Sequence, residues 1–449
     1  MTGGAGAGYA CAVSGPPSRR HVLLLGAGDL AEETEAALLA ADAPVTHVEE
    51  SDHDAVREAL AEEPDAVAIV SRSDAWPVRA ALLVRHLDED VPIVVTVFDH
   101  DIGRHLSDEI GNCTVTSVAD IVAPSLAGPC LDSGYVAVLE REGERPAALR
   151  ADGDDLIEEE LPELRPRRLR ALATAVIHPY DRSGRLFFAG LIGMAVMLAI
   201  ETIGAVIVLD QTPIDAYYGS FKTLATVGPN DEVANGPSWF KALVSATMVL
   251  TLLFAACFTG GLVERLVNRR LTGLIGRTAV PRREHVVVVG LGQVGIRLCL
   301  LLRDCGMAVV AVDPREEGEN VGHARELRLP VVIGRGGDPS LLKRLRPRLA
   351  HALAAVTSDD LQNIAVALGA RAQAERLTVV LRAGNVGVGG ETRSLTRIAH
   401  VRDVHRIAAV YIAGVALGSK AEAVVVVDGE PRLRHADGTL ESFPFSVLA

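Results

Sequence analysis

The chain has no basic excess, no paired-cysteine pattern and no apolar leader at its start, and each absence removes a class of function. A formal net charge of −14 argues against nucleic acid as a partner, because phosphate contacts require a basic face, although the basic residues are clustered. Six cysteines (Cys11, Cys113, Cys130, Cys257, Cys299, Cys305) fall without CxxC spacing and without histidines at zinc spacing. Neither a disulfide framework nor a metal site is expected, and the thiols read as reduced and mostly buried. The opening MTGGAGAGYACAVSGPPSRR lacks the basic start and apolar core of an export signal, so residues 1–20 read as a disordered tail.

What is present begins with two long apolar runs, Leu186–Leu209 and Phe240–Leu262, the first carrying Glu201 as its single charge. Each reaches the length of about 20 apolar residues that a bilayer-spanning helix needs. Arg165, Arg167, Arg168, Arg170, Arg182 and Arg185 precede the first run, and Arg265, Arg269, Arg270, Arg277, Arg282 and Arg283 follow the second. The positive-inside rule then places both ends in the cytoplasm, giving a multi-pass protein of the cell membrane. The intervening loop carries Asp210, Asp215, Asp231 and Glu232 against Lys222 and Lys241, which suits the outer side. The alternative is a pair of buried helices in a soluble protein.

From His285 the sequence HVVVVGLGQVGIRL runs an apolar strand into Gly290, Leu291, Gly292, Gln293, Val294 and Gly295, then a helix, then the strand AVVAVD ending at Asp313. This is GxGxxG in its strand-turn-helix setting with an acid at the next strand end, the pattern of a dinucleotide site. The glycines let backbone N–H groups and a helix N-terminus approach a pyrophosphate, and the acid accepts from a ribose hydroxyl. Further strand–helix alternation implies a doubly wound parallel sheet. Residues 21–140 repeat the theme, with Gly26, Gly28 and Ala31 as GxGxxA and Glu49 or Glu50 at the acidic position. The short interval before the next strand, DAVAIV, marks this copy as trimmed, and its residues leave nucleotide binding there open.

These residues carry a resemblance. With GDPSLL (337–342) and AVTSDDLQNIAVALGAR (355–371), the second region resembles RCK/TrkA-N domains, and VPIVVTVFDHDIGRHL (91–106) gives the first a similar ending. The membrane part resembles a two-helix potassium-channel pore, as in bacterial channel-like proteins with such a domain on each side of the pore unit. The resemblance implies α/β Rossmann-like doubly wound parallel sheets in two copies, flanking a two-helix transmembrane pore unit with a re-entrant pore helix. It implies a homotetramer in the lipid bilayer, no enzymatic activity, and gating by NAD, NADH or another adenine nucleotide held by Gly290–Gly295 and Asp313, with Thr357 and Asp359 alongside. Gly334, Arg335 and Gly336 stand where relatives have Gly-Asp-Ala, which puts a base near the ligand.

The expected organisation is a tail (1–20), a first domain (21–140), a linker (141–185) and a pore domain (186–262). The pore domain divides into helix 186–209, pore helix and filter 215–231, and helix 240–262. A linker (263–284), a second domain (285–418), a loop over GNVGVGGETRSL (384–395) and a short C-terminal tail (419–449) complete it. Where a potassium filter runs Thr-Thr-Val-Gly-Tyr-Gly-Asp, this chain has Ala225, Thr226, Val227, Gly228, Pro229, Asn230 and Asp231. The retained Thr226, Val227 and Gly228 keep the carbonyl pattern for a dehydrated potassium ion or other monovalent cation, while Pro229 removes an aromatic and an N–H. Asn230 substitutes for glycine at a positive φ, and Lys222 is expected to pair with Glu201 at similar depth. Two other readings stand beside this one. A non-conducting membrane nucleotide sensor would regulate potassium transport, and an NAD-dependent oxidoreductase would use Tyr218 and Lys222 in YxxxK spacing.

Overall fold

The computed structural model describes residues 20–49, 53–71, 74–141, 143–153, 155–161, 182–225, 227–228, 230–267, 284–327, 329–384 and 398–444. Nearly all of the expected N-terminal tail, most of the flanking arginines and the loop beyond Gly384 lie outside these residues. The chain divides into two compact units: residues 1–164, 283–327 and 331–449 form one, and residues 165–282 with 328–330 form the other.

The first half of the larger unit alternates β1 (Val22–Gly26), α1 (Asp29–Ala40), β2 (Val45–Val48), α2 (His53–Leu60), β3 (Ala66–Val70), α3 (Ala75–Leu87), β4 (Ile93–Thr96), α4 (His100–Glu109) and β5 (Cys113–Thr116). All five strands are parallel, in the order β2-β1-β3-β4-β5. Every residue of β1 and β3 is buried, which is why they read as unbroken apolar runs: helices cover both faces of a parallel sheet. Burial of Leu23, Leu25, Ile69 and Ile93 contributes about 1.5–3 kcal/mol per side chain. Helix α5 (Val118–Leu131) follows, capped by Ser117, whose hydroxyl accepts from the Asp120 N–H at 3.0 Å. An antiparallel meander of β6 (Tyr135–Leu139), β7 (Ala147–Asp152) and β8 (Asp155–Glu160) completes the half.

The meander corrects the expectation of a linker as far as Glu160; residues 162–181 lie outside the described residues. The acidic stretch forms a strand because its charges are met by neighbouring arginines: Arg150 Nε lies 2.7 Å from Glu159 and Arg141 2.7 Å from Glu158. Leu149 faces inward and is buried.

The helical unit contains α6 (Arg182–Val208), α7 (Pro213–Leu224), a 3-10 turn at Asp231–Asn235 and α8 (Ser238–Val267). Leu186–Val208 and Ser238–Val263 have mean hydropathies of 2.4 and 2.1 and are long and apolar enough to cross a membrane. Helices α6 and α8 approach closely through glycine: a Cβ on Gly190 would lie 2.6 Å from the Phe254 carbonyl oxygen, and one on Gly261 2.7 Å from the Phe187 nitrogen. Small residues of this kind let membrane helices pack backbone to backbone.

The second half of the larger unit contains β9 (His285–Val289), α9 (Gln293–Asp304), β10 (Ala308–Asp313), α10 (Glu319–Glu326), β11 (Val331–Ile333), α11 (Pro339–Leu345), β12 (Ala352–Ala355), α12 (Asp360–Gln373), β13 (Thr378–Ala383) and β14 (His400–Asp403). Its parallel sheet runs β11-β10-β9-β12-β13-β14. Helix α13 (Val404–Ala416) and the antiparallel β15 (Ala421–Val427), β16 (Glu430–His435) and β17 (Leu440–Ser442) follow. The expected short C-terminal tail over 419–449 is therefore a meander through Ser442, driven by the apolar run in β15.

The two halves interlock rather than sit as separate domains. Helix α5 packs on α9, β12 and β13 of the second half, and α13 packs on α1, β3 and β4 of the first. Each half thus supplies the helix that covers the other's sheet, which explains why α5 and α13 are apolar on nearly every side. The two meanders share a core of Ala137, Leu139, Leu149, Val425 and Val427.

Candidate functional site

The sheet order changes direction between β9 and its neighbours β10 and β12, which opens a crevice at the strands' C-terminal ends. The turn from β9 into α9 lies there. Gly290 has φ +101, a region that residues with a Cβ rarely adopt, and a Cβ there would lie 2.8 Å from the Thr357 nitrogen. A Cβ on Gly295 would collide with the Gly290 carbonyl, so this glycine sets the close approach of helix to strand. Gly292 is different: its φ of −78 suits any residue, and a Cβ would meet nothing within 4 Å. It borders open space at the N-terminus of α9, whose first turn carries no acid. An anion would meet free N–H groups and the positive end of the helix dipole there.

Asp313 lies opposite Gly290, one step beyond the Val289–Val312 pair of the β9–β10 ladder. Only 4% exposed, it accepts from the Leu291 N–H at 3.1 Å and the Arg315 N–H at 2.9 Å. The carboxylate therefore braces the glycine turn and retains lone pairs for a hydroxyl. Thr357, beside Gly290, is fixed by Asn363, whose Oδ1 accepts from the Thr357 N–H at 2.9 Å and lies 2.8 Å from its hydroxyl. Asp359 caps α12, accepting from the Gln362 N–H at 3.0 Å. Leu291 and Val294 are buried and offer the site their backbone only. Gly334 donates its N–H to the Asp313 carbonyl at 2.9 Å, which puts the exposed Arg335 next to that strand end.

Asn363 was not among the expected site residues. Fully buried, it also donates to the carbonyls of Thr357 at 3.0 Å and Arg382 at 3.1 Å, tying together the ends of β12 and β13. Its signal was an amide on the buried stripe Asn363, Val366, Ala367, Ala370 of an otherwise apolar helix face.

The first copy has the same backbone and a different lining. Gly26 and Gly28 have φ of +147 and +85, and Glu49 lies opposite Gly26 by the β1–β2 register. Glu49 is exposed and holds no loop N–H in the way Asp313 does. Instead the His47 ring bridges the Gly26 carbonyl at 2.9 Å and Glu35 at 2.7 Å. Asp29 and Glu32 occupy the first turn of α1, where their charge opposes that of an incoming phosphate. Burial pushes the Glu33 carboxyl up, with Asp403 adding and Arg406 opposing. Burial likewise raises Asp403, against the N–H groups of Arg406 and His405 and the charges of both side chains.

In the helical unit the expected Glu201–Lys222 pair does not form. Lys222 Nζ lies 3.1 Å from Asp231 Oδ2, and Glu201 accepts from the Thr247 hydroxyl of α8, with Thr223 of α7 beside it. The reason is that the chain turns back after α7 and brings Asp231 to Lys222, while Thr247 of α8 meets Glu201. Asn230 has φ −56 rather than a positive angle; its amide donates to Gln211 at 2.7 Å and its oxygen caps the 3-10 turn. Gly228 has φ +148, and Val227 is exposed, with its N–H donating to the Lys222 carbonyl at 3.0 Å. Thr226 and Pro229 lie outside the described residues. Tyr218 and Lys222 belong to the helical unit, where Lys222 pairs with Asp231, and the glycine turn belongs to the larger unit.

Residues 286–387 match the TrkA-N domain family. Over 215 residues the chain is 24% identical to the voltage-gated potassium channel Kch of Escherichia coli (strain K12), covering 45% of this chain and 51% of that protein. It is 21% identical over 202 residues to potassium channel protein 1 of Methanocaldococcus jannaschii, covering 43% of this chain and 60% of that one. The chain spans between about half and three-fifths of the length of these curated relatives. The solved GsuK channel shares the fold, with a TM-score of 0.50 at 15% identity over 89% of this chain and 64% of that chain.

Proposed function

From a potassium-channel-like chain with a TrkA-N domain at residues 286–387, we propose a membrane cation channel regulated by an adenine nucleotide. NAD, NADH or a related nucleotide binds with its pyrophosphate against Gly290–Gly295 and a ribose hydroxyl on Asp313. Four copies surround a pore in the cell membrane, with both chain ends in the cytoplasm and Thr226–Gly228 coordinating potassium or another monovalent cation. The protein performs no catalysis. The observation that carries this reading is the open space at Gly292 beside a buried, loop-bracing Asp313, in a chain that also has two membrane-length helices around a short third. Isothermal titration of the purified full chain with NAD, NADH, ADP and ATP tests it: saturable binding of at least one supports the site, and binding of none removes the proposed regulator.

A second reading, a membrane nucleotide sensor that does not conduct, is favoured by the Lys222–Asp231 pair, which places a cation between the end of α7 and the 3-10 turn. Asp231 is 92% exposed, so solvent screens the pair to about 0.2–1 kcal/mol. Lys222→Met and Asp231→Asn are each expected to lower the unfolding midpoint of the detergent-solubilised chain slightly, and the double variant to lose less than their sum. Additive losses in this thermal double-mutant cycle would show that the contact contributes nothing.

A further inference from the structure

Two arginines stand at the end of the glycine-turn site that Asp313 marks. Arg315 follows Asp313 by two residues; its N–H donates to Asp313 Oδ1 at 2.9 Å, and its guanidinium Nε lies 3.7 Å from the same oxygen. Arg315 is exposed and Asp313 buried, so the cation lies on the solvent side of the carboxylate.

Arg335 reaches the same region from β11. On one side of it, Gly334 donates its N–H to the Asp313 carbonyl at 2.9 Å. On the other, Gly336 is buried so tightly that a Cβ would collide with the side chain of Val289, the last residue of β9 before Gly290. The Asp338 N–H closes the turn onto the Arg335 carbonyl at 2.9 Å. The Arg335 backbone is therefore fixed between the ends of β10 and β9. Its side chain is exposed and, among the described residues, makes no hydrogen bond or ion pair. A guanidinium held there is a planar set of donors without an acceptor.

The strand order decides what these cations meet. Neighbouring strands run β9, β10, β11. With a pyrophosphate at the β9–α9 turn and a ribose hydroxyl on Asp313 of β10, the next position outward lies past the ribose, on the side away from the pyrophosphate. Asp313 does not outweigh the two cations, because its oxygens already accept from the N–H groups of Leu291 and Arg315. We propose that the ligand is an adenine dinucleotide with a phosphate on its adenosine ribose, of the NADP(H) class, and that Arg315 and Arg335 bind this phosphate and set the preference for it over NAD. The inference rests on the proposed nucleotide site and specifies its ligand. Guanidinium groups donate parallel N–H pairs to phosphate oxygens, and an arginine near this strand end is how a dinucleotide fold accommodates a ribose phosphate. Glu316 and Glu317 follow Arg315 on the exposed loop and oppose the cations, which keeps the preference moderate.

Calorimetric titration of the full chain in detergent with NAD and with NADP tests the proposal. NADP is expected to bind about tenfold more tightly in the wild type. Arg315→Ala and Arg335→Ala are each expected to lower the NADP-to-NAD affinity ratio by about threefold or more, and the double variant to bring it to about one. Arg335→Lys should keep more of the ratio than Arg335→Ala, since it retains the charge without the fork of donors. A wild-type ratio of one or less, with NAD binding lost in Gly292→Val, would leave the nucleotide site standing and overturn the ribose phosphate. A wild-type preference for NADP that persists in the double variant would also overturn it, because the phosphate would then be held by other groups. Binding of neither nucleotide would remove the site and this inference together.

Discussion

Valine at Gly292 is expected to lower the affinity of the full chain for NAD, NADH and ADP by at least about 100-fold, equivalent to about 2.8 kcal/mol. The substitution should leave the unfolding midpoint of the nucleotide-free protein nearly unchanged. The basis is the contrast among the three glycines of the β9–α9 turn. Gly290 needs its positive φ, and Gly295 sits against the Gly290 carbonyl, whereas Gly292 has an ordinary backbone and open space where a Cβ would go. A branched side chain there fills the space in front of the α9 N–H groups without disturbing protein packing. Gly295→Val is the control: it forces an overpacked contact with a cost of about 1–3 kcal/mol or more, and should lower the midpoint directly. Titration calorimetry and thermal unfolding on the same preparations separate the two effects. Unchanged affinity in Gly292→Val would place the nucleotide elsewhere.

The second large effect concerns the ion. The native pore is expected to conduct monovalent cations with a potassium-over-sodium permeability ratio below about 10, because Pro229 supplies neither the aromatic brace nor the N–H that holds the outer carbonyls. Pro229→Tyr should raise that ratio by about tenfold under bi-ionic conditions. Asn230 is left in place in this variant, since its amide bonds to Gln211 and its oxygen caps the turn that carries Asp231 and Glu232. In the proposed pore, Glu232, with Asp231 already paired to Lys222, would favour cations over anions. A native ratio far above 10 would show that Pro229 does not loosen the site.

Much of this architecture was readable in the residues because the physics behind it is local. Continuous apolar strands and the glycine turn between strand and helix follow from what a buried parallel strand and a close helix–strand approach require, and the two apolar runs form helices long enough to cross a membrane. What escaped was decided by tertiary contacts. The meander at 135–160 was concealed because an acidic strand resembles a linker until Arg141 and Arg150 stand beside it. The exchange of α5 and α13 could not be read from either helix alone, since an apolar helix does not announce which sheet it covers. Asn363 and the Lys222–Asp231 contact were missed for the same reason: each depends on where a neighbouring segment returns.

The central claim, that nucleotide at the α9 turn regulates a cation pore in the same chain, is tested most directly by current through planar bilayers containing the purified full chain. Nucleotide is added to the side that the two chain ends face. The account predicts a cation current that changes on addition of NAD, NADH or ADP in the wild type and does not respond in Gly292→Val. A bilayer that stays silent with every nucleotide, or a current that responds equally in wild type and Gly292→Val, would contradict it.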